Sequence, residues 1–550
     1  MAATGAEAAD RSLLEGAAPT GDASYGATGS QPSGEREGQG ERPRMSPEEV
    51  MAEVMRNADE YKRIIWNAFL KGLAPLFAEA MGTFVLVFCV GCAVTSPTPS
   101  PWAPVAIASV LTVMVYATSN ISGGHLNPAV TFAMALLGKK SWSSVVSYWL
   151  FQFMGAFSAA AAYKIVCAPH LAVVAPVPPF HAGYAIGTEM IYTGLLVFTV
   201  LSCAVSKRNN PPSDPNQFFG LAIGFAALAG GFACGHISGA ALNPAVAVTL
   251  GLGSGKDPHW ALTWFGAELA GATMGAALFR MLRANEFASG EEAPEAEGEP
   301  PVPDYKLRCL AEFVGTFVLV LTVGLNVVSG SRATAYSAAA VLMCMICSVG
   351  DISGGHFNPA VTVAVLLSGR EKILRPDAVR YVGAQLAAGA LAGLVYAFYH
   401  LGSGVADKSI KLVPGKGYDT TQAALAELIT TGVLAYTVLT VATVKDYKTR
   451  DVAGLVIAFA LTGGSFAVGS VSGGELNPSV VLGLVLGNAI NPGTGPVLNW
   501  MALLTCEFLG GMVASGVFRF THRKEFMAPE DKETVKGLNE EADEDVEAQS

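Results

Sequence analysis

Charge is what this chain has least of. Only 14% of its 550 residues are Asp, Glu, Lys or Arg, whereas 51% are hydrophobic. Long stretches carry no charge, and the mean hydropathy is +0.42, which excludes an array of soluble domains and points to a polytopic membrane protein. The acidic excess behind the net charge of −11 is concentrated in Glu286–Asp304 and Glu530–Glu547. Those segments read as solvated tethers, not as a surface for a cationic partner or nucleic acid. The nine cysteines lie mostly inside apolar runs and imply no disulfide framework. Cys344 and Cys347, spaced C-x-x-C within such a run, read as small packing residues. No phosphate-binding loop, metal-ligand cluster or nucleophile constellation is present, so no cofactor, metal or catalysis is expected.

What is present is one short pattern, four times over. Ile121–Thr131 reads ISGGHLNPAVT; its counterparts are SGAALNPAVAV from Ser238, SGGHFNPAVTV from Ser353 and SGGELNPSVVL from Ser472. Each asparagine (Asn127, Asn243, Asn358, Asn477) is a good helix N-cap, because its side-chain oxygen can accept a free first-turn N–H. Each following proline (Pro128, Pro244, Pro359, Pro478) suits the first helical position, where no N–H is needed. After Ala129, Ala245, Ala360 and Ser479 the chain stays apolar for about ten residues, roughly 15 Å of helix, or half of a hydrocarbon core about 30 Å thick. The asparagines are 116, 115 and 119 residues apart, so the pattern is a duplication nested in a duplication.

In chain order, residues 1–60 read as a polar, disordered tail followed by a surface helix. That helix is opened by Ser46-Pro47-Glu48-Glu49 and closed by the basic-aromatic run Tyr61–Trp66. A first unit, 61–284, has spans near Ala74–Val94, Val105–Ser119, Ser144–Val166, Ala185–Val205, Phe218–Ala233 and Ala261–Leu282. An acidic linker, 285–304, leads to a second unit, 305–524, with spans near Leu310–Val328, Ala335–Val349, Ala378–Tyr399, Ala423–Val444, Val452–Gly469 and Trp500–Phe520. Residues 525–550 form an acidic tail. With this layout, and leaving the two tails aside, twenty Lys and Arg residues of the loops and span ends fall on the face that carries both termini and six on the other. The richer face is expected to be cytoplasmic. Plasma membrane and vacuolar or other internal membranes both fit.

Each half-unit has three spans and one half-span, so successive halves are inverted. Inverted repeats place their site where the halves meet near the midplane. Two half-helices entering from opposite faces would touch by their N-termini, each carrying about half a positive elementary charge. Such a junction repels cations and tolerates neutral, hydrogen-bonding solutes. Non-helical backbone at that depth requires protein or a water-filled cavity beside it, which implies a narrow polar path.

These motifs resemble the aquaporin (major intrinsic protein) family over Ala74–Leu282 and Leu310–Phe520, as two fused units. The family's first-span pattern is matched by Ala78-Glu79 with Gly82-Thr83-Phe84, and by Ala311-Glu312 with Gly315-Thr316-Phe317. The fold implied is all-α and polytopic: two tandem units, each of six transmembrane helices plus two re-entrant half-helices. The resemblance makes the four Asn-Pro-Ala/Ser triplets the pore constrictions and gives Glu79, Glu189, Glu312 and Glu427 the task of holding the re-entrant loops. Physics agrees, since an intramembrane carboxylate survives by facing the interior with a partner. A proton relay is the alternative, but recurrence in all four halves favours the structural role. Gln152 and Gln385 read as hydrogen-bonding partners inside the bundle; the acidity of Glu268 and Glu507 has no account from the sequence.

The departure from the family is at its aromatic/arginine filter. Val246 and Val480 stand where the arginine belongs, and the remaining filter positions are Ile107, Gly231 and Ala240 in the first unit and Ala338, Ser465 and Gly474 in the second. Sets this small and apolar imply a wider, less polar opening than a water-only pore. The expected function is a passive channel for water with small uncharged solutes of the glycerol, urea, ammonia or hydrogen peroxide class. A secondary transporter built on inverted repeats, or a non-conducting structural protein with one pore closed by Glu475 or bulky neighbours, are the alternatives. By the family's habit, two copies of the chain would complete a four-unit ring in the lipid bilayer. His125 and His356 read as loop-bonding residues, the Asn120-Ile121-Ser122 sequon as silent, and Gly271/Gly275 and Gly389/Gly393 as packing within one unit.

Overall fold

The computed structural model describes residues 46–94, 100–168, 174–253, 258–287, 302–402, 412–444, 450–490 and 497–526. The expected N-terminal tail, most of the acidic linker and the C-terminal tail lie outside them. The described residues contain sixteen α-helices and no strand. In the first unit these are α1 (Pro47–Val94), α2 (Ala103–Ser122), α3 (Pro128–Leu136), α4 (Trp142–Cys167), α5 (Ala182–Val200), α6 (Phe219–Cys234), α7 (Pro244–Gly253) and α8 (His259–Leu282). The second unit repeats them as α9 (Tyr305–Ser329), α10 (Thr334–Ser353), α11 (Pro359–Leu367), α12 (Arg375–Gly402), α13 (Thr420–Thr443), α14 (Ala453–Val468), α15 (Pro478–Ile490) and α16 (Val497–Thr521). Nine of the described helices are long and apolar enough to cross a membrane. The fifth span of each unit, α6 and α14, has only 16 residues, about 24 Å.

One expectation is corrected. The surface helix and the first span are not separate: α1 runs unbroken for 48 residues with Pro75 inside it, about 72 Å at the usual rise. Nothing between Tyr61 and Ala74 supplies a stop. Gly72 does not adopt the left-handed conformation that ends a helix, and the surrounding Ala, Leu, Lys and Asn continue it.

Each half-helix packs across the inverted repeat. α3 lies against α4 and α8, α7 lies against α8 and α4, and the tips of α3 and α7 touch. α11 and α15 do the same with α12 and α16. Close approach is bought with glycine: a Cβ on Gly271 would lie 2.4 Å from the Met190 carbonyl oxygen, and one on Gly275 2.6 Å from that of Gly194. Gly389 and Gly393 likewise face the Ser479 and Gly483 carbonyls. Both glycine pairs therefore pack helices within one unit.

The two units sit side by side. α9 and α10 of the second pack on α5 and α6 of the first, and the Tyr192 hydroxyl meets Thr322 Oγ1 at 2.8 Å. The Ser337 hydroxyl donates to the Ala229 carbonyl at 3.2 Å, and the Tyr399 hydroxyl to that of Tyr184 at 3.1 Å. At one end of this seam the Arg283 guanidinium forks onto Asp351, with Nη1 at 2.8 Å and Nη2 at 2.9 Å, and Nη2 also donates to the Ser348 carbonyl at 2.7 Å. Arg208 Nε lies 3.2 Å from the same carboxylate. The Arg283 side chain is only 2% exposed and keeps a second, longer contact to Glu286 at 3.7 Å, so loss of Asp351 costs less than the ~3–5 kcal/mol of a fully stripped buried cation. Asp351→Ala should therefore lower the unfolding temperature of detergent-purified protein by several degrees. A scan unchanged from wild type would remove this ion pair from the seam's stability.

Candidate pore

The geometry of the four half-helices follows from the residue before each asparagine. Leu126, Leu242, Phe357 and Leu476 all have positive φ, 50°, 50°, 48° and 52°, a left-handed conformation that bulky residues rarely adopt. Each is held at both ends. Its N–H donates to a buried carboxylate: Leu126 to Glu79 at 2.7 Å, Leu242 to Glu189 at 2.9 Å, Phe357 to Glu312 at 2.7 Å and Leu476 to Glu427 at 2.9 Å. Its carbonyl accepts the side-chain amide of the asparagine on the opposing half-helix. Asn127 Nδ2 donates to Leu242 O and Asn243 Nδ2 to Leu126 O, both at 2.9 Å. In the second unit Asn358 Nδ2 donates to Leu476 O at 2.8 Å and Asn477 Nδ2 to Phe357 O at 2.9 Å.

The asparagine oxygens cap their own helices, accepting the N–H of Ala129 at 2.8 Å, Ala245 at 3.0 Å, Ala360 at 2.9 Å and Ser479 at 2.9 Å. Pro128, Pro244, Pro359 and Pro478 each begin the helix, where the absent N–H leaves nothing unsatisfied. One Nδ2 hydrogen of each asparagine is used in the cross-bond; the other is the donor such a site can offer to a passing solute.

The carboxylates accept more than one bond each. Glu79 also takes the Ser122 hydroxyl at 2.6 Å, the His125 N–H at 2.9 Å and Gln152 Nε2 at 2.8 Å. Glu312 takes the matching set from Ser353, His356 and Gln385 at 2.6, 2.9 and 2.8 Å. Glu189 takes Ser238 at 2.5 Å and the Ala241 N–H at 3.1 Å, and Glu427 takes Ser472 at 2.5 Å and the Gly474 N–H at 3.1 Å. Glu268 and Glu507, unexplained by the sequence, accept the backbone N–H of Asn243 at 2.9 Å and of Asn477 at 2.8 Å. They fix the second asparagine of each pair.

Sequence reasoning missed two sets of residues. The four left-handed positions carry no compositional signal, being Leu or Phe. The serines at 122, 238, 353 and 472 do, since each opens the repeated Ser-Gly pattern at the same offset from its asparagine. Ser122 spends its hydroxyl on Glu79, inside the sequon. The histidines bond the half-helix and not loop backbone: His125 Nδ1 lies 3.0 Å from Thr131 Oγ1, and His356 Nδ1 3.1 Å from Thr362 Oγ1.

In the second unit Ala338, Ser465, Gly474 and Val480 line one cavity of about 350 Å³ together with Asn358 and Asn477. Ser465 donates its hydroxyl to the Gly474 carbonyl at 2.7 Å, so it presents little polarity to the opening. In the first unit Val246 is buried, and Ile107 packs against the core. A Cβ on Gly231 would lie 2.8 Å from that of Pro104 on α2. Ala240 holds φ 49°, where the second unit places Gly474 at 73°. No Lys or Arg stands at any of these eight positions.

The sequence profile of the family described as "Major intrinsic protein" matches residues 68–235, 219–327 and 303–463. The chain belongs to this family. Aquaporin-8 of Rattus norvegicus is 31% identical over 242 residues, 42% of this chain and 89% of the rat protein. Aquaporin NIP2-1 of Oryza sativa subsp. japonica is 30% identical over 245 residues, 43% of this chain and 78% of its own length. The solved aquaglyceroporin from Plasmodium falciparum aligns with 38% of this chain and 95% of its own, at 21% identity and a TM-score of 0.33. This major intrinsic protein carries more than one family unit, and its relatives are channels and not enzymes. It is a multi-pass membrane protein, and its family supports a passive channel for water or small solutes across the lipid bilayer.

Because Glu312 satisfies four buried donors, Glu312→Ala orphans all four, each at ~1–3 kcal/mol. The variant should be recovered in much lower yield, with an unfolding transition about 10 °C lower. Recovery at wild-type yield and stability would show that the loop holds itself.

Proposed function

We propose that residues 61–284 and 305–524 are two channel units, each passing water together with small uncharged solutes of the glycerol, urea, ammonia or hydrogen peroxide class. The observation that carries this reading is the cavity shared by Asn358, Asn477, Ala338, Ser465, Gly474 and Val480. Its filter positions, Ala338, Ser465, Gly474 and Val480, are small or apolar. With no cation and no aromatic ring at those positions, the opening admits a carbon-bearing solute where a tighter ring would not. The Asn127–Asn243 junction, with Ile107, Gly231, Ala240 and Val246, is assigned the same task in the first unit. A secondary transporter is disfavoured, because the half-helix tips are tied to each other by reciprocal bonds and no cluster of three potential metal ligands occurs among the described residues.

Both termini are assigned to the cytoplasmic face, from the Lys and Arg distribution. Two chains are proposed to form a four-unit ring. α5, α9 and α10, which meet at the seam between units, have 72% of their apolar windows buried, whereas α2 and α13 have 33% and 39%. Val113 and Ile121 on α2, and Leu425, Ile429 and Val433 on α13, are at least half exposed. Repeating the seam with a second copy would cover these faces. The detergent-purified protein should then have a native protein mass of two 56.9-kDa chains; a single-chain mass would refute the ring.

Liposomes containing the protein should shrink osmotically faster than empty ones, with water and with at least one solute of the proposed class. Val246→Arg and Val480→Arg should each lower solute flux by about half, and more strongly than water flux. Shrinkage no faster than in protein-free liposomes, for water and every solute, would overturn conduction. Loss of all solute flux from one substitution alone would assign it to a single unit.

A further inference from the structure

Two of the nine cysteines meet. Cys92, two residues before the end of α1, has its Sγ 3.7 Å from that of Cys167, the last residue of α4. The sequence implies no disulfide framework, and both thiols are free in the structure. A disulfide needs its sulfurs about 2.05 Å apart. Rotation of the two side chains about Cα–Cβ is the motion that closes such a gap, provided the helices keep their register.

The register is locked beside the thiols. A Cβ on Gly91 would lie 2.6 Å from Cγ of Tyr163, so that ring rests directly on the α1 backbone. Further along the same two helices, Gly155 presses just as tightly on the Ala80 carbonyl. Cys92 follows Gly91, and Cys167 stands one turn after Tyr163. The second unit builds the same joint, with Gly324 on α9 receiving the ring of Tyr396 on α12; a Cβ there would lie 2.8 Å from Cγ. At that joint the corresponding residues are Leu325 and His400. The packing therefore does not require sulfur, and the thiol pair belongs to the first unit alone.

Reagents in water can reach the pair. Both cysteines are partly exposed, and Lys164 in the last turn of α4 sets that end of the helix at the water interface. The orientation proposed above puts these helix ends on the face away from the cytoplasm, where oxidising compartments keep disulfides. The oxidant is a small disulfide. One protein thiolate attacks it, forming a mixed disulfide and releasing one small thiol. The second protein thiol, giving up its proton, attacks the protein sulfur of that mixed disulfide and expels the other small thiol. The cysteine pair loses two electrons, and the small disulfide gains them.

We propose that Cys92 and Cys167 form a disulfide site, and that the bond clasps α1 to α4 at the outer end of the first unit only. The test uses the full chain in detergent, with oxidised glutathione as the probe. Remaining thiols are blocked, and the denatured chain is cleaved after Lys and Arg. Peptides 72–139 and 165–207, which carry Cys92 and Cys167, should remain joined and should separate on reduction. They should be separate without reduction in Cys92→Ser and in Cys167→Ser, and joined in Cys89→Ser. The bridged chain should unfold several degrees above the reduced one, a gap absent from Cys92→Ser. Separate peptides from wild type overturn the site, as do joined peptides in Cys92→Ser or Cys167→Ser, or separate ones in Cys89→Ser. Equal unfolding temperatures with and without the bond overturn the clasp. None of these measurements reads flux, so their outcome is independent of the channel reading.

Discussion

A bulky residue forced into a left-handed backbone, with its N–H on a buried carboxylate and its carbonyl on the opposite asparagine, is the constraint on which this fold depends. Leu126, Leu242, Phe357 and Leu476 each turn an irregular loop into a helix that starts near the centre of a membrane protein. Lipid offers no hydrogen bonds there, so every amide in the turn must find its partner in protein. The carboxylates of Glu79, Glu189, Glu312 and Glu427 are such partners, and their burial is tolerated because each accepts three or four donors at once. The two half-helices of a pair are therefore not independent. Disturbing one turn withdraws the carbonyl that orients the asparagine of the other.

That reciprocity separates scaffold from selectivity. Asparagines, carboxylates and loop serines repeat in all four halves with nearly the same distances. Other positions differ from unit to unit: Gly231 against Ser465, Ala240 against Gly474, Ala241 against Glu475. The bonds that set the turn run through backbone and buried carboxylates.

The motifs were legible because their chemistry is carried by residue type and spacing. Asparagine before proline announces a capped helix start, and four such starts at a period near 116 announce inverted repeats; the helices fall where that reasoning puts them. Acids in apolar spans were legible for the same reason, since their cost demands a partner. What could not be read depended on tertiary contact. Glu268 and Glu507 look anomalous until Asn243 and Asn477 are seen donating to them. Leu126 looks ordinary until its φ is known. The length of α1 was misjudged because basic and aromatic residues suggested an interfacial end, while no residue there actually stops a helix.

The seam of α9 and α10 against α5 and α6 has a consequence for how such a molecule can diversify. Separate chains that assembled freely would mix at random, and a new variant would be diluted among old ones. Joined in one polypeptide, the pair is always present one to one and always in the same neighbouring order. Each half can then drift towards its own chemistry, as Ala241 and Glu475 have, without ever facing a duplicate of itself across that joint.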